Sequence, residues 1–153
     1  MQRDDYIAVM MRYFQGVMDE DLGAIRSAFT ADARVMILHG DNPRRQFHLV
    51  PRAGEESLDD FYGHIWRTFH VHFGQFTWVV DRDSQVCSAI FVPTLTPKPG
   101  SSQAAGGVLS LRNCNFFWFR DGLIYDTIIY YANPELGERL GVTTGPTTVP
   151  PRR

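Results

Sequence analysis

The stretch from Val108 to Pro134, VLSLRNCNFFWFRDGLIYDTIIYYANP, decides how the rest of the chain is read. Aromatic and β-branched side chains fill both arms around Arg120-Asp121-Gly122, and Asp-Gly between such arms is a strong hairpin signal. In the first arm Leu109, Leu111, Asn113, Asn115, Phe117 and Phe119 share one face. Ser110, Arg112, Cys114, Phe116, Trp118 and Arg120 share the other, because successive strand side chains alternate. Two asparagines in an otherwise apolar row are the anomaly. Amides placed there need partners, in the protein, at a wet rim, or in something bound.

The turn decides where Asp126 goes. A two-residue turn at Asp121-Gly122 pairs Asn115 with Ile128 and sets Asp126 on the asparagine face. A type I turn with Gly122 as a bulge pairs Asn115 with Thr127 and sends Asp126 to the other face. Arg120-Asp121-Gly122 suits the bulged form better, so Asp126 is expected outside the pocket. On that outer face Arg112, Phe116 and Trp118 would form a broad aromatic patch on a lone subunit. That is the reason to expect a homodimer through the sheet.

Residues before the hairpin follow helical and strand periods in turn. Tyr6, Met10, Tyr13 and Val17, flanked by Ile7 and Phe14, predict a helix over residues 4–18, with Asp4 and Asp5 in its first turn. Asp19-Glu20-Asp21 breaks it, and a shorter helix follows with Leu22, Ile25 and Phe29 as its core face. Thr30-Ala31-Asp32 is read as its end, with Asp32 as a local cap. Arg34 to His39 is a strand with Val35, Ile37 and His39 on one face. Gln46 to Val50 returns after a turn and stops at Pro51. Ser57-Leu58-Asp59-Asp60 opens a third helix whose buried stripe is Leu58, Phe61, Ile65 and Phe69. It gives out around His70-Val71-His72, and strands follow over residues 76–80 and 85–92. Residues 97–107 form a loop rich in Pro, Gly and Ser. After the hairpin, residues 135–140 can make one helical turn, and residues 142–153 read as a loose tail.

The order is helix, helix, strand, strand, helix, then four strands. It predicts an α+β fold: a cone-shaped, curved antiparallel or mixed sheet packed against three N-terminal helices and enclosing one pocket. One domain over residues 1–141 accounts for it. With 153 residues, 44% of them hydrophobic, the chain can bury a sizeable core. A net charge of −2 and scattered basic residues leave no nucleic-acid footprint. No stretch is long enough to span a membrane, and the N-terminus does not open a signal peptide, so the cytoplasm is expected. Cys87 and Cys114 match no metal or redox spacing and read as free thiols. His70-Val71-His72 offers two ligands that no Cys or carboxylate cluster completes, so neither metal nor organic cofactor is expected.

Several motifs together resemble the nuclear transport factor 2-like superfamily, which includes ketosteroid isomerases, scytalone dehydratase and SnoaL-like polyketide cyclases. They are Arg12-Tyr13, Asp21-Leu22, Phe29-Thr30-Ala31-Asp32-Ala33, the run from Asn115 to Ile124, and Tyr131-Ala132-Asn133-Pro134. The resemblance implies a cone around one apolar pocket, and often a dimer through the outer sheet face. It sets Tyr13 where ketosteroid isomerases keep the tyrosine that bonds the substrate oxygen. Ile37 stands where their general-base aspartate would be. Asn115 stands where isomerases and cyclases carry a functional aspartate, so an oxyanion role survives there and proton transfer does not. Asn113 and His72 lie near a substrate-binding asparagine and a histidine of scytalone dehydratase.

The sequence therefore nominates a catalytic set of Tyr13, His39, His72 and Asn115. Asn113, Phe14, Val17, Ile37, Phe61, Ile65 and Phe117 would hold substrate. His39 follows Val35 and Ile37 in parity and is either an inward proton carrier or a rim residue before the Gly40 turn. Either His39 or His72 would move the proton, whereas His64 reads as a helix-face residue. Tyr13 must offer a hydroxyl that the protein leaves unpaired; otherwise it is core with its hydroxyl on a backbone carbonyl. The expected activity is isomerisation, dehydration or cyclisation of a hydrophobic, oxygen-bearing small molecule of polyketide or terpenoid type. Binding without turnover and a dimeric scaffold with a filled pocket are the alternatives.

Overall fold

The computed structural model describes residues 1–40 and 42–132. The helical turn expected at residues 135–140, the tail from 142 and the domain limit at 141 lie outside them. Helix α1 spans Arg3–Met18, and its first turn is closed by Asp5, whose carboxylate accepts from the Gln2 N–H at 2.6 Å. Asp21 caps α2, Leu22–Ser27, by accepting from Ala24 N–H at 3.0 Å. The two helices meet at Gly16, where a Cβ would lie only 2.9 Å from Ile25 Cγ1, so no larger residue fits that crossing.

The strands are β1 Phe29–Leu38, β2 Arg45–His48, β3 Glu56–Ser57, β4 Phe69–Asp81, β5 Val86–Pro97, β6 Leu109–Ser110, β7 Arg112–Arg120 and β8 Leu123–Ala132; α3, Leu58–Thr68, precedes β4. They form one mixed sheet in the order β3-β2-β1-β8-β7-β5-β4, with β6 beside β5. β1 runs parallel to β8 and β2 to β3, while the remaining pairs are antiparallel. This is the α+β arrangement the element order predicts. Bulges bend it. In β4 the register shifts between Gly74 and Thr77, with Gln75 at φ 57°, and the extra residue lets Phe73 and Phe76 both face α1. Phe14, fully buried, receives both rings at 5.4 and 5.0 Å, and those of Phe91 and Phe117 at 4.7 and 5.8 Å. Burying each such side chain contributes roughly 1.5–3 kcal/mol, so this aromatic hub is the main tie between α1 and the sheet.

The hairpin turn is the two-residue form, not the bulged one that Arg120-Asp121-Gly122 suggests, and Asn115 meets neither Ile128 nor Thr127. Asp121 and Gly122 have φ of 52° and 80°, which makes a two-residue turn with Arg120 opposite Leu123. The register then shifts by one between Trp118 and Phe119, so Asn115 lies opposite Ile129 and Asp126 opposite Trp118. Asp126 is on the outer face, as expected, but a bulge in β8 puts it there rather than one at Gly122. It accepts from Arg34 Nη2 at 2.7 Å.

Four local readings are corrected. Thr30-Ala31-Asp32 lies within β1 and ends no helix; Asp32 pairs across the sheet with Arg120. The buried stripe of α3 is Leu58, Tyr62 and Trp66, while Phe61 and Ile65 are only half-buried. Trp66 Nε1 donates to the Val17 carbonyl at 2.9 Å and ties α3 to the end of α1. Strand β4 starts at Phe69, directly after the helix, and β5 runs on to Pro97. The returning strand β2 is four residues long and ends at His48.

Candidate active site

Between α1, α3 and the concave sheet lies a cavity of about 320 Å³. Phe14 and Val17 wall it from α1, Phe61 and Ile65 from α3, and Ile37 and Ile129 from the parallel pair β1–β8. Phe69, Val71, Phe73 and Phe91 close the side towards β4 and β5. The edge of α3 that carries Phe61 and Ile65 faces this hollow, which explains why it is less buried than the Tyr62–Trp66 edge. A period of 3.6 marks both edges as apolar but does not tell a void from a packed neighbour.

Polar groups enter at few points. Tyr13 from α1 and Tyr62 from α3 meet with their hydroxyl oxygens 2.5 Å apart, and both residues are buried. Two hydroxyls joined by one hydrogen bond leave a second O–H free to donate. Burial raises the pKa of Tyr13 to about 12, against a smaller lowering by the hydrogen bond with Tyr62. Burial also raises Tyr62 well above its ordinary value, and the neighbouring Tyr13 adds to it. Both phenols are thus held neutral at any physiological pH. Neither alternative for Tyr13 in the sequence includes this arrangement, since neither involves Tyr62. The signal was there: Leu58, Tyr62 and Trp66 are spaced four apart on α3, as buried helix neighbours are.

Asn113 and Asn115 both line the cavity from β7, two residues apart on one face. Asn115 is 1% exposed, and the Oδ1 atoms of both residues are buried with no hydrogen-bond partner. Thr127, on the same face of β8 and diagonal to Asn115, has a buried Oγ1 that is equally unpartnered. A buried polar atom without a partner costs about 1–3 kcal/mol, and three on one patch of sheet is a concentration that asks for a cause.

The nominated histidines are elsewhere. His70 and His72 project from β4 into solvent, because Phe69, Val71 and Phe73 take the inward positions and parity sends their neighbours out. His72 therefore does not reach the cavity. His39 lies beyond the end of β1, stacked on Tyr131 at 4.1 Å and bonded to Asn42 at 3.0 Å, so it is the rim residue of the two alternatives. Tyr131 stands between it and the hollow. Phe117 is fully buried behind the wall, against Tyr13 and Phe14, rather than facing the cavity. The imidazole that does line the cavity is His64, together with Arg45. Both, with Phe61, also border a neighbouring polar basin of about 420 Å³ that carries Glu55, Glu56 and Asp60. His64 thus sits where the apolar hollow meets water. Among the described residues, no Asp or Glu lines the hollow itself.

No family profile and no curated protein sequence matches the chain. Solved structures do match, at low identity. A provisionally named polyketide cyclase from Xanthomonas campestris pv. campestris superposes with a TM-score of 0.68 at 19% identity, over 92% of this chain and 98% of that one. A provisionally named isomerase from Bacillus subtilis gives 0.67 at 14%, over 92% and 95%. The BvnE pinacolase from Penicillium brevicompactum gives 0.63 at 14%, over 91% and 96%. With three helices on a curved mixed sheet around one apolar hollow, and these structures superposing over nearly their whole length, the chain has the nuclear transport factor 2-like fold.

Proposed function

We propose that the cavity catalyses enolisation-type chemistry, as in an isomerase, dehydratase or cyclase, on a hydrophobic small molecule bearing a carbonyl. The observation that carries this reading is the neutral Tyr13–Tyr62 pair facing the same apolar hollow as the carboxamides of Asn113 and Asn115. The free phenolic O–H and an amide N–H₂ donate to the carbonyl oxygen. As the α C–H bond breaks, its electron pair moves towards that oxygen, and donors fixed in a water-poor site stabilise the charge that develops there. His64 takes the proton, since it is the imidazole at the hollow, and its contact with the basin lets the proton exchange with water. This replaces His39 and His72 in the role the sequence gave them. The names of the similar structures, cyclase, isomerase and pinacolase, fit the reaction class and set no substrate.

The test uses 1-tetralone, an enolisable bicyclic ketone, in D₂O, with loss of its α-proton signal followed by NMR. The protein is expected to accelerate exchange over buffer, and His64→Gln and Tyr62→Phe each to reduce that acceleration by about 10²-fold. No acceleration by the unaltered protein would overturn the proposal. One observation favours a second reading, binding without turnover: Ile37 and Asn115 line the hollow where the resemblance expects carboxylates. Saturable 1-tetralone binding with no exchange would select it. For assembly, we propose a homodimer through the outer sheet face, where Val79, Ile90 and Tyr130 are 56%, 49% and 43% exposed.

A further inference from the structure

We infer that Arg45 is a gate between the apolar hollow and the polar basin, and that a hydrophobic ligand passes it on the way in and out. The inference rests on the reading of the hollow as a binding cavity and on no catalytic step. Arg45 stands opposite Ile37 in the β1–β2 register, so both side chains project from the concave face of the sheet. Arg45, Phe61 and His64 line the hollow and the basin alike, which makes their side chains the partition between the two. Phe61 is held there by the buried ring of Phe47, 4.5 Å away. Arg45 is the long, flexible member of the partition, and its side chain is 55% exposed.

What holds Arg45 across the partition is weak. Its Nη2 donates to Glu56 Oε1 at 3.1 Å, and its guanidinium carbon lies 4.7 Å from the ring centre of Phe47 and 6.0 Å from that of Phe61. Glu56 is as exposed as its partner, and an ion pair between two such groups shifts an equilibrium by at most about fivefold. The stacked rings add a cation–π attraction of similar size. Exposed side chains change rotamer within nanoseconds, so these contacts set how often the path is clear rather than block it. They break while a ligand passes and re-form whether it has entered or left. Entry and exit are therefore slowed by the same factor, and affinity is left alone. Closed, the side chain keeps basin water out of the hollow.

Stopped-flow fluorescence with Prodan, a neutral naphthalene ketone whose emission reports an apolar site, tests the inference. Glu56→Gln alters a residue that borders the basin and not the hollow, and should raise the association and dissociation rates together by about threefold. Arg45→Ala should raise both by about tenfold, with affinity within about threefold of the unaltered protein in either variant. Raising sodium chloride from about 0.02 M to about 0.5 M screens the exposed pair and should bring the unaltered protein up to the rates of Glu56→Gln. Asp60→Asn removes a basin carboxylate outside the Arg45 pair and should leave both rates unchanged. Thermal melting checks that each variant folds. Unchanged rates in folded Arg45→Ala and Glu56→Gln would overturn the inference, as would equal acceleration by Asp60→Asn. So would a change confined to dissociation, which marks a ligand contact, or failure of Prodan to bind at about 0.1 mM. The two claims fail separately: gated entry without α-proton exchange removes the catalytic reading alone, and exchange with ungated rates removes this one alone.

Discussion

The inner and outer faces of the β7–β8 hairpin carry opposite mismatches with their surroundings. Inward, Asn113, Asn115 and Thr127 place polar atoms among aromatic and aliphatic side chains and leave them without partners. Outward, Ile90 of β5, Cys114 of β7 and Tyr130 of β8 lie side by side across three strands, and the first and last are exposed. A folded chain rarely keeps either kind of mismatch without a reason. Under the proposals above, a ligand with polar groups would relieve the inner one at Asn113 and Asn115, and apolar surface from another subunit the outer one. One ladder of hydrogen bonds thus holds two unfinished surfaces back to back, and the parity of the strand keeps them apart.

The comparison can be broken most directly by truncating each face in turn. Phe117→Ala removes a fully buried ring that touches Tyr13 and Phe14, and should cost about 3–5 kcal/mol in urea unfolding of the dilute protein. Phe116→Ala, one residue away on the half-buried outer face, should cost about 1 kcal/mol or less. Similar losses for the two would mean that the faces are not distinct in the monomer.

Alkaline titration sharpens the inner side of the comparison. The unfolded chain releases the Tyr13 proton near pH 10, whereas the folded chain holds it to about pH 12. The contribution is therefore whole below pH 10 and is lost as pH rises to about 12, over which range only the unfolded form ionises. For a shift of that size the loss is ~3 kcal/mol, read as unfolding free energy at pH 9 and pH 12. Tyr13→Phe should flatten that part of the profile, and an unchanged slope would argue against burial of this phenol.

The smallest effect on the folded monomer belongs to the outer face. Ile90→Glu with Tyr130→Glu should change monomer stability by about 0.5 kcal/mol or less, since both side chains are exposed. In light scattering the same pair should halve the mass found for the unaltered chain. A single unchanged mass for both proteins would remove the dimer proposal.

How far the sequence reaches is clearest at particular residues. The alternation in residues 109–119 places the asparagines on the cavity face, and that placement holds through a turn and a bulge not foreseen together, because each strand keeps its own parity. The same rule moves His72 outward: the chain leaves the helix earlier than the sequence suggests, and a strand beginning at Phe69 turns Phe69, Val71 and Phe73 inward and the histidines between them outward. The place of Tyr62 and His64 at the hollow is not legible in the sequence for a related reason. Helical period ranks residues by apolar character around an axis, and it is silent on whether a given side faces packed rings or empty space.

By itself the sequence determined the order of the elements apart from the two-residue strands β3 and β6, the α+β class and the polar row within the hairpin. Those follow from short-range periodicity and turn chemistry, which act within a few residues. The tertiary structure alone decided that Tyr13 meets Tyr62 across 49 positions of chain, that His64 rather than His39 or His72 borders the hollow, and that the amide oxygens stay unpaired. Each depends on how α3 seats against α1 and the bent sheet, a packing geometry set by many side chains at once and encoded in no local stretch.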